Sequence, residues 1–184
     1  MTGDGPGTPR LQIVTGAPGT GKTAIIERLG PAIHRMPEPA RAVIADYRLI
    51  EGPDAGQPPV EVFVDLLLMR SIEQHEAAQK LDGLVVFDRG VPDCIAYAEW
   101  LGTDRGPSVD AADRYRYRHE VLVMRPWEDI YTTDDERTMT FDMVVGSQEV
   151  VEGVYQRLGY ALVEVPRGPI DERAAFVEAF VGSE

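Results

Sequence analysis

Cysteine is almost absent from this sequence, because Cys94 is the only one among its 184 residues. A single thiol excludes an intramolecular disulfide, and chains without disulfides are typical of a reducing compartment. No apolar run approaches the roughly 20 residues that a membrane-spanning helix requires. The opening stretch MTGDGPGTPR also lacks the apolar centre of a signal peptide. We therefore expect a cytoplasmic protein without a membrane partner, in which residues 1–10 form a flexible tail.

Positive charge is also scarce. Lysine and arginine number 18 against 31 aspartates and glutamates, which gives a net charge of −13. Such a chain repels phosphate backbones, so we expect no nucleic-acid partner. Hydrophobic residues make up 43% and charged residues 27%, as in a globular protein, and we expect residues 11–184 to form one domain. An anionic nucleotide would need a local cluster of positive groups within this acidic chain.

Five short apolar runs alternate with segments of helical periodicity. The predicted strands are residues 11–15, 32–36, 84–88, 119–124 and 160–165. The predicted helices are residues 23–29, 38–50, 60–80, 93–101, a helix that follows the polar stretch 125–137 and ends near 158, and a last helix around 176–181. Residues 102–108 are predicted to be an irregular break. This alternation indicates an α/β fold, a parallel sheet with helices on both faces.

A glycine-rich turn joins the first predicted strand to the helix after it. Its sequence, GAPGTGKT, fits the complete pattern G-x-x-x-x-G-K-[ST]. The eight residues are Gly16, Ala17, Pro18, Gly19, Thr20, Gly21, Lys22 and Thr23. The glycines let backbone N–H groups turn towards a phosphate, and the following helix points its positive end at the same anion.

Two side chains complete this phosphate loop. In the pattern Lys22 reaches the β- and γ-phosphates, and the Thr23 hydroxyl ligates Mg²⁺. The alternative is a plain glycine turn between a strand and a helix. The flanking elements are those that a phosphate loop requires, so we expect ATP and Mg²⁺ to bind here.

Polar residues follow two further predicted strands. Asp88 and Arg89 come at the end of the run LVVFD, at the sheet edge where open α/β sheets bind their ligands. Asp88 could hold Mg²⁺ through water or accept a hydroxyl proton, and Arg89 could bind an anion or the substrate. Glu38 follows the second strand, where a carboxylate could orient an attacking hydroxyl, and Arg41 lies one helical turn further on. The alternatives are an ordinary Asp-Arg turn and an acidic helix start that interacts with the helix dipole.

The polar stretch 125–137 has two interpretations. One is a lid that carries Arg137 over the phosphates and places Trp127 against a base. The other is a solvated, charged segment at a helix start. The run RYRYR at residues 114–118 mixes basic and aromatic residues, as nucleic-acid surfaces do. In so acidic a chain we interpret it as a helix face that pairs with the protein's own carboxylates.

These motifs together resemble a known family. The stretches GAPGTGKT, MPEPAR, FDRGVPDCIAYAEWLG, RYRYRHEVLVMRPWEDIYTTDDER and LGYALVEVPRGPIDERAAFV are similar to the small, AAA-like P-loop ATPase and kinase-like family related to the ribosylnicotinamide kinase domain of NadR proteins. The resemblance runs from about residue 11 to about residue 181. It implies a nucleoside-kinase-like P-loop NTPase fold, with a five-stranded parallel sheet in the order 2-3-1-4-5.

Two motifs also resemble deoxynucleoside kinases. In that family a Pro-Glu-Pro motif after the second strand supplies the carboxylate that activates the acceptor hydroxyl, and Glu38 corresponds to it here. A Glu-Arg-Ser motif at the third strand corresponds loosely to residues 88–90, with Asp in place of Glu and Gly in place of Ser. Glu38 and Asp88 therefore both remain candidates for the base. The residues expected to bind the acceptor are Arg41, Arg89 and Asp93.

The leading hypothesis is an ATP-dependent kinase that phosphorylates a hydroxyl of a small acceptor, with nucleosides among the candidates. Its catalytic residues would be Lys22, Glu38, Asp88 and Arg137. The alternative is an ATPase or GTPase switch that acts through a protein partner. A partly apolar pocket lined from residues 63–69 and 93–97 favours the kinase, and a flat or filled surface favours the switch.

Nucleotide choice is predicted from an absent motif. Guanine-selective switches usually read the base with an Asn/Thr-Lys-x-Asp element, and the sequence has none. We therefore expect ATP rather than GTP. The adenine edge is expected near residues 166–168, where Arg167 would join the nucleotide-binding residues.

Overall fold

The fold is built on one parallel sheet of five strands. The structure is a computed structural model that describes residues 8–130 and 139–183. Its strands are β1 (Arg10–Thr15), β2 (His34–Met36), β3 (Leu84–Asp88), β4 (Glu120–Val123) and β5 (Ala161–Glu164). They lie in the order β2-β3-β1-β4-β5, and every pair is parallel. The predicted strand order is confirmed.

The register of the central strands determines where the chain can build a site. Val14 of β1 is paired with Asp88 of β3 on one side and with Leu122 of β4 on the other. Parallel strands end at the same edge of a sheet. The glycine-rich turn after β1 and the polar residues after β3 therefore emerge next to each other.

Seven α-helices and one short 3₁₀ helix occur in the described parts of the chain. They are α1 (Lys22–Ile26), α2 (Pro39–Glu51), α3 (Val60–Ala78), α4 (Val91–Leu101), α5 (Gly106–Arg114), the 3₁₀ helix Glu128–Ile130, α6 (Phe141–Arg157) and α7 (Ile170–Gly182). The helix α5 was not predicted, because the Gly-Pro pair at its start was interpreted as a break. Proline is well tolerated in the first turn of a helix, so Pro107 begins this helix instead of preventing it.

Alternate residues of the buried strands face two separate apolar cores. On one face, Ile13 and Phe87 pack with apolar residues of α4, α5 and α6. On the other face, Val14 and Val86 pack with apolar residues of α1 and α7. Because side chains alternate along a strand, continuous apolar runs are needed where both faces are covered. This explains the continuous apolar runs of the central strands β3 and β4, whereas the edge strand β2 has the sequence His-Arg-Met and is largely exposed.

The run RYRYR differs from its prediction as a helix face. Arg114 is the last residue of α5, and the next four residues are not helical. The Arg118 N–H donates to the Leu11 carbonyl, so the segment already runs beside β1. Tyr117 is buried, and its ring meets Phe87 edge to face at 5.2 Å between centroids. The prediction was wrong because aromatic residues in this run fill the core.

The first strand begins slightly earlier in the chain than predicted. Strand β1 begins at Arg10, one residue inside the predicted tail, and residues 1–7 lie outside the described part. Among residues 8–130 and 139–183, no helix has the length and apolar character needed to cross a membrane.

Two leucines on neighbouring helices offer a direct test of this packing. Leu67 on α3 is 1% exposed, whereas Leu49 on α2 is 84% exposed. Leu67→Ala should lower the free energy of unfolding by about 2–5 kcal/mol, because it leaves a cavity. Leu49→Ala should change it by no more than about 0.5 kcal/mol. Urea denaturation of both variants measures the difference, and equal effects would contradict the packing described here.

Candidate active site

The phosphate loop lies between β1 and α1 and depends on glycine at three positions. Gly16, Gly19 and Gly21 have φ angles of 135°, 79° and 86°, a region that residues with a Cβ atom rarely adopt. A Cβ atom at Gly16 would also lie 2.2 Å from the Met124 carbonyl oxygen, at the end of β4. The loop is thus pressed against the neighbouring strand, and only glycine fits at its first position.

Lys22 points back into the loop that it follows. Its ammonium group donates to the carbonyls of Gly16 at 3.0 Å and Ala17 at 2.8 Å. Burial, reinforced by the nearby charge of Arg89, lowers the pKa of Lys22 to about 8, although the carboxylates of Asp88 and Glu38 oppose the shift. A cation held in this position is available to a phosphate group that enters the loop.

Asp88 and Thr23 form the part of the site that fits a metal ion. The Thr23 hydroxyl donates to Asp88 Oδ2 at 2.6 Å. The other oxygen, Oδ1, is buried and has no hydrogen-bond partner among the described residues. Burial raises the pKa of Asp88, against the opposing effects of the Lys22 charge and the Thr23 hydrogen bond. An unshared carboxylate oxygen beside a hydroxyl suits Mg²⁺, which binds few protein oxygens and keeps several waters.

Glu38 and Arg89 form an ion pair beside the phosphate loop. Glu38 precedes the first residue of α2, and its carboxylate accepts from Arg89 Nε at 3.1 Å and from Arg41 Nε at 3.0 Å. Burial opposes ionisation of Glu38, but the positive charges of Arg89 and Lys22 outweigh it and lower the pKa of this carboxyl. The two arginines that bind Glu38 differ in exposure: the Arg89 side chain is buried, whereas the Arg41 side chain is 69% exposed.

Asp93 lies behind this pair. Its Oδ1 accepts from the Thr15 hydroxyl at 2.6 Å and from Arg89 Nη1 at 3.1 Å. Its Oδ2 accepts from the Gly90 N–H at 2.9 Å and from the Tyr155 hydroxyl at 2.5 Å. Four donors satisfy a carboxylate that is 2% exposed. This geometry differs from the expected contact with the acceptor and favours a role in holding Arg89.

A small cavity opens between the phosphate loop, α4 and α6. Its volume is about 70 Å³, and Arg89 forms its charged wall. The other lining residues are Ala17, Pro18, Ala96, Tyr97, Trp100, Met139, Ser147 and Val151. Part of the expected lining, residues 63–69, is not among them. Phe63 instead packs edge to face on Tyr97, at 5.8 Å between ring centroids. The expected contribution from residues 93–97 is present.

A second aromatic group lies on the other side of the loop. Trp127 is buried, and the guanidinium groups of Arg173 and Arg167 lie 4.8 Å and 5.8 Å from its ring centroid. Arg173 also donates to the Thr20 carbonyl at 2.8 Å. Arg167 is exposed in the loop after β5, as the sequence predicted, but its described contact is with Trp127.

The sequence analysis missed two residues that contact the phosphate loop. Arg173 on α7 binds the Thr20 carbonyl, and Gln148 on α6 accepts from the Ala17 N–H at 2.6 Å. Both are at most 5% exposed, and both lie at helical spacing with core residues of their own helix. A polar side chain on the apolar face of a helix was the available signal. Arg137, the predicted lid residue, lies outside the described residues.

Comparison with known protein families decides the affiliation of the chain. A family model described as an AAA domain matches residues 12–173, which is most of the sequence. The chain belongs to the AAA-domain family. No curated protein matches it significantly in sequence.

The fold of this AAA-domain protein is similar to that of several kinases. One is deoxyadenosine kinase from M. mycoides, solved with dCMP and dCDP. It has a TM-score of 0.66 at 12% identity, and the match covers 95% of this chain and 100% of the kinase chain. Thymidylate kinase from Ehrlichia chaffeensis has a TM-score of 0.62 at 12% identity, with coverages of 93% and 97%. Thymidylate kinase from Candida albicans has a TM-score of 0.58 at 13% identity, with coverages of 96% and 92%.

These likenesses confirm the predicted P-loop kinase-like fold. They agree with the five-stranded parallel sheet and its strand order. The narrower resemblance of this AAA-domain protein to the ribosylnicotinamide kinase domain stays a prediction.

The low pKa of Lys22 predicts how stability depends on pH. Lys22 titrates near 8 in the folded protein and near its ordinary value of 10.5 in the unfolded chain. Between these values the unfolded chain holds a proton that the folded protein lacks, so its contribution to stability rises with pH. Each pKa unit of difference corresponds to about 1.4 kcal/mol.

The test is urea denaturation of the parental protein and of Lys22→Met across that pH window. The free energy of unfolding of the parent, relative to the variant, should increase from about pH 8 to about pH 10.5. Subtracting the free energy of unfolding of the variant at each pH removes the contribution of groups that titrate alike in both proteins. A difference that stays constant, or that decreases, would contradict the buried position of the ammonium group.

Proposed function

We propose that this protein is an ATP-dependent phosphotransferase, which moves the γ-phosphate of ATP to a hydroxyl of a small acceptor. The observation that carries the proposal is the ion pair of Glu38 with Arg89 beside a complete phosphate loop. A phosphate loop alone is shared by hydrolases and switches. A fixed carboxylate and a mostly apolar cavity near it are features that a kinase can use to hold an acceptor. A flat or filled surface at this point would have favoured the switch.

The nucleotide would bind through the residues of the phosphate loop. Backbone N–H groups of residues 19–23 would surround the β-phosphate, and the Lys22 ammonium would contact the β- and γ-phosphates. Asp88 and Thr23 would hold Mg²⁺, which neutralises charge on the phosphates when it is bound. Arg137 would close over the transferring group, and Arg167 would lie near the adenine.

Glu38 would orient the acceptor hydroxyl. Phosphoryl transfer passes through a loose transition state in most analyses, so positioning of the hydroxyl matters more than early removal of its proton. The lowered pKa of Glu38 keeps it ionised and able to accept a hydrogen bond. Asp88 is the alternative base, but its contact with Thr23 favours the metal-binding role.

The acceptor class follows from the similar structures and from the cavity. The structural neighbours include a deoxyadenosine kinase and two thymidylate kinases. Their fold, together with the aromatic residues Tyr97 and Trp100 in the cavity wall, supports a nucleoside-like or nucleotide-like acceptor. Incubation with labelled ATP, Mg²⁺ and a panel of nucleosides and nucleotides tests this. A protein that binds ATP but labels no member of the panel and no compound in a metabolite extract would contradict the proposal.

Nucleotide choice has its own test. Calorimetric competition between ATP and GTP for the nucleotide-free protein should show tighter binding of ATP. A clear preference for GTP would overturn this part of the proposal.

Substitution of Glu38 and Lys22 should separate acceptor positioning from nucleotide binding. Lys22 contacts phosphates before and during transfer, so Lys22→Ala should weaken ATP binding and also slow transfer. Glu38 faces the acceptor, so Glu38→Gln should leave ATP affinity nearly unchanged. It should lower turnover by on the order of 10²–10⁴-fold, the usual range for a positioned acid–base group.

Circular dichroism of Glu38→Gln controls for loss of folding. If this variant transfers phosphate at the parental rate, Glu38 is only the residue at the start of α2. In that case the same measurements on Asp88→Asn would identify the base.

A further inference from the structure

One peptide group of the phosphate loop is held from both sides. The Gly16 carbonyl accepts from Lys22 Nζ at 3.0 Å, and the Ala17 N–H donates to Gln148 Oε1 at 2.6 Å. These two groups belong to the same planar peptide unit. The orientation of the N–H therefore determines where the Gly16 carbonyl points. That carbonyl is one of two that hold the Lys22 ammonium, and the other is the Ala17 carbonyl at 2.8 Å.

The orientation of the Gln148 amide is itself determined by a neighbour. Its Nε2 donates to Glu152 Oε1 at 2.8 Å. An ionised carboxylate only accepts hydrogen bonds, so the nitrogen must face Glu152 and the oxygen must face Ala17. Arg125 binds both oxygens of Glu152, at 2.8 and 2.9 Å, and also binds Glu164 at 2.8 Å. The chain of contacts thus runs from the end of β5 to the phosphate loop.

We propose that Gln148 is a positioning residue for Lys22, which acts by holding the Gly16–Ala17 peptide with its carbonyl towards the ammonium group. The inference deepens the proposed function, because it rests on Lys22 as the group that contacts the phosphates of ATP. Glu152 supports Gln148 by fixing which end of the amide faces the loop.

The contact matters because Gln148 is the acceptor that satisfies the Ala17 N–H. Gly16 lacks a side chain and has a φ of 135°, so its peptide can rotate more easily than that of another residue. Ala17 is fully buried, so its N–H cannot turn to water where it lies. A buried donor without an acceptor is costly. Without Gln148 the peptide would rotate to find a partner, and the Gly16 carbonyl would leave Lys22.

The experiment compares the same substitution at two positions of α6. Gln148→Met keeps a side chain of similar length but removes the strong acceptor. Gln156→Met is the matched control, because Gln156 is an exposed residue of the same helix. Amide exchange of the nucleotide-free protein, followed by NMR, reports on Ala17 directly. Calorimetry with Mg-ATP reports on the phosphate loop as a binding site.

In Gln148→Met we expect faster exchange of the Ala17 amide. We also expect the Kd for Mg-ATP to rise by about tenfold, because the rotated peptide must return to its original orientation, with its donor unsatisfied, when the phosphates bind. The control should match the parent in both measurements. Parental affinity for Mg-ATP in Gln148→Met would overturn the inference, whatever its effect on thermal stability. It would leave the proposed kinase function standing, because acceptor labelling tests that function separately.

A double substitution tests whether Gln148 acts through Lys22. If it does, Gln148→Met combined with Lys22→Ala should bind Mg-ATP no more weakly than Lys22→Ala alone. Additive losses would overturn the inference. A parental protein that does not bind Mg-ATP would contradict the proposed function, and with it this role of Gln148. Unchanged Ala17 exchange in Gln148→Met would contradict the positioning contact by itself.

Discussion

Asp93 accepts four hydrogen bonds in the interior of the protein, and the arrangement of the active site depends on them. The donors come from β1, from the turn after β3, from α6 and from Arg89. An ionised carboxylate is stable in such a place only when it is fully satisfied. This requirement brings three elements of the chain to one point beneath the phosphate loop. Arg89 is held there, and through it Glu38 has a defined position.

The charge of the site differs from that of the chain as a whole. The protein carries a net charge of −13, yet Lys22 and Arg89 are both buried beside the loop. Their charges are offset locally by Glu38, Asp88 and Asp93, whose negative charges limit the lowering of the Lys22 pKa. Acidic residues elsewhere repel anions, whereas the Lys22 ammonium lies within the phosphate loop as a local positive charge for a nucleotide. The balance also explains why the positive groups need partners when they are buried.

The sheet could be predicted from the sequence because its central strands are short apolar runs, and each run ends at a turn or at a polar residue. The phosphate loop could be predicted because its glycines are required by φ angles that few other residues adopt. Helix α5 could not, since Gly106 and Pro107 also suit a break. Tyr117 could not, because alternating basic and aromatic letters do not show which side chains point inward.

The site was only partly predictable for a related reason. Lys22, Glu38, Asp88 and Arg89 follow strands, and strand ends meet at one edge of a parallel sheet. Gln148 and Arg173 reach the loop from helices distant in sequence, and contacts of that kind depend on how the helices pack. Asp93 was predicted to bind the acceptor, but it is held by Thr15 and Tyr155, which the sequence does not place beside it.

The backbone and the side chain of Arg89 make opposing demands on the residue type at this position. Its backbone has a φ of 74°, a left-handed conformation that favours glycine, asparagine or aspartate. Its side chain bridges Glu38 and Asp93, which requires a buried cation with several donors. Glycine would relieve the backbone but remove the charge, and lysine would keep the charge but lose the forked geometry. Substitution at residue 89 therefore exchanges relief of backbone strain for loss of the bridge between Glu38 and Asp93.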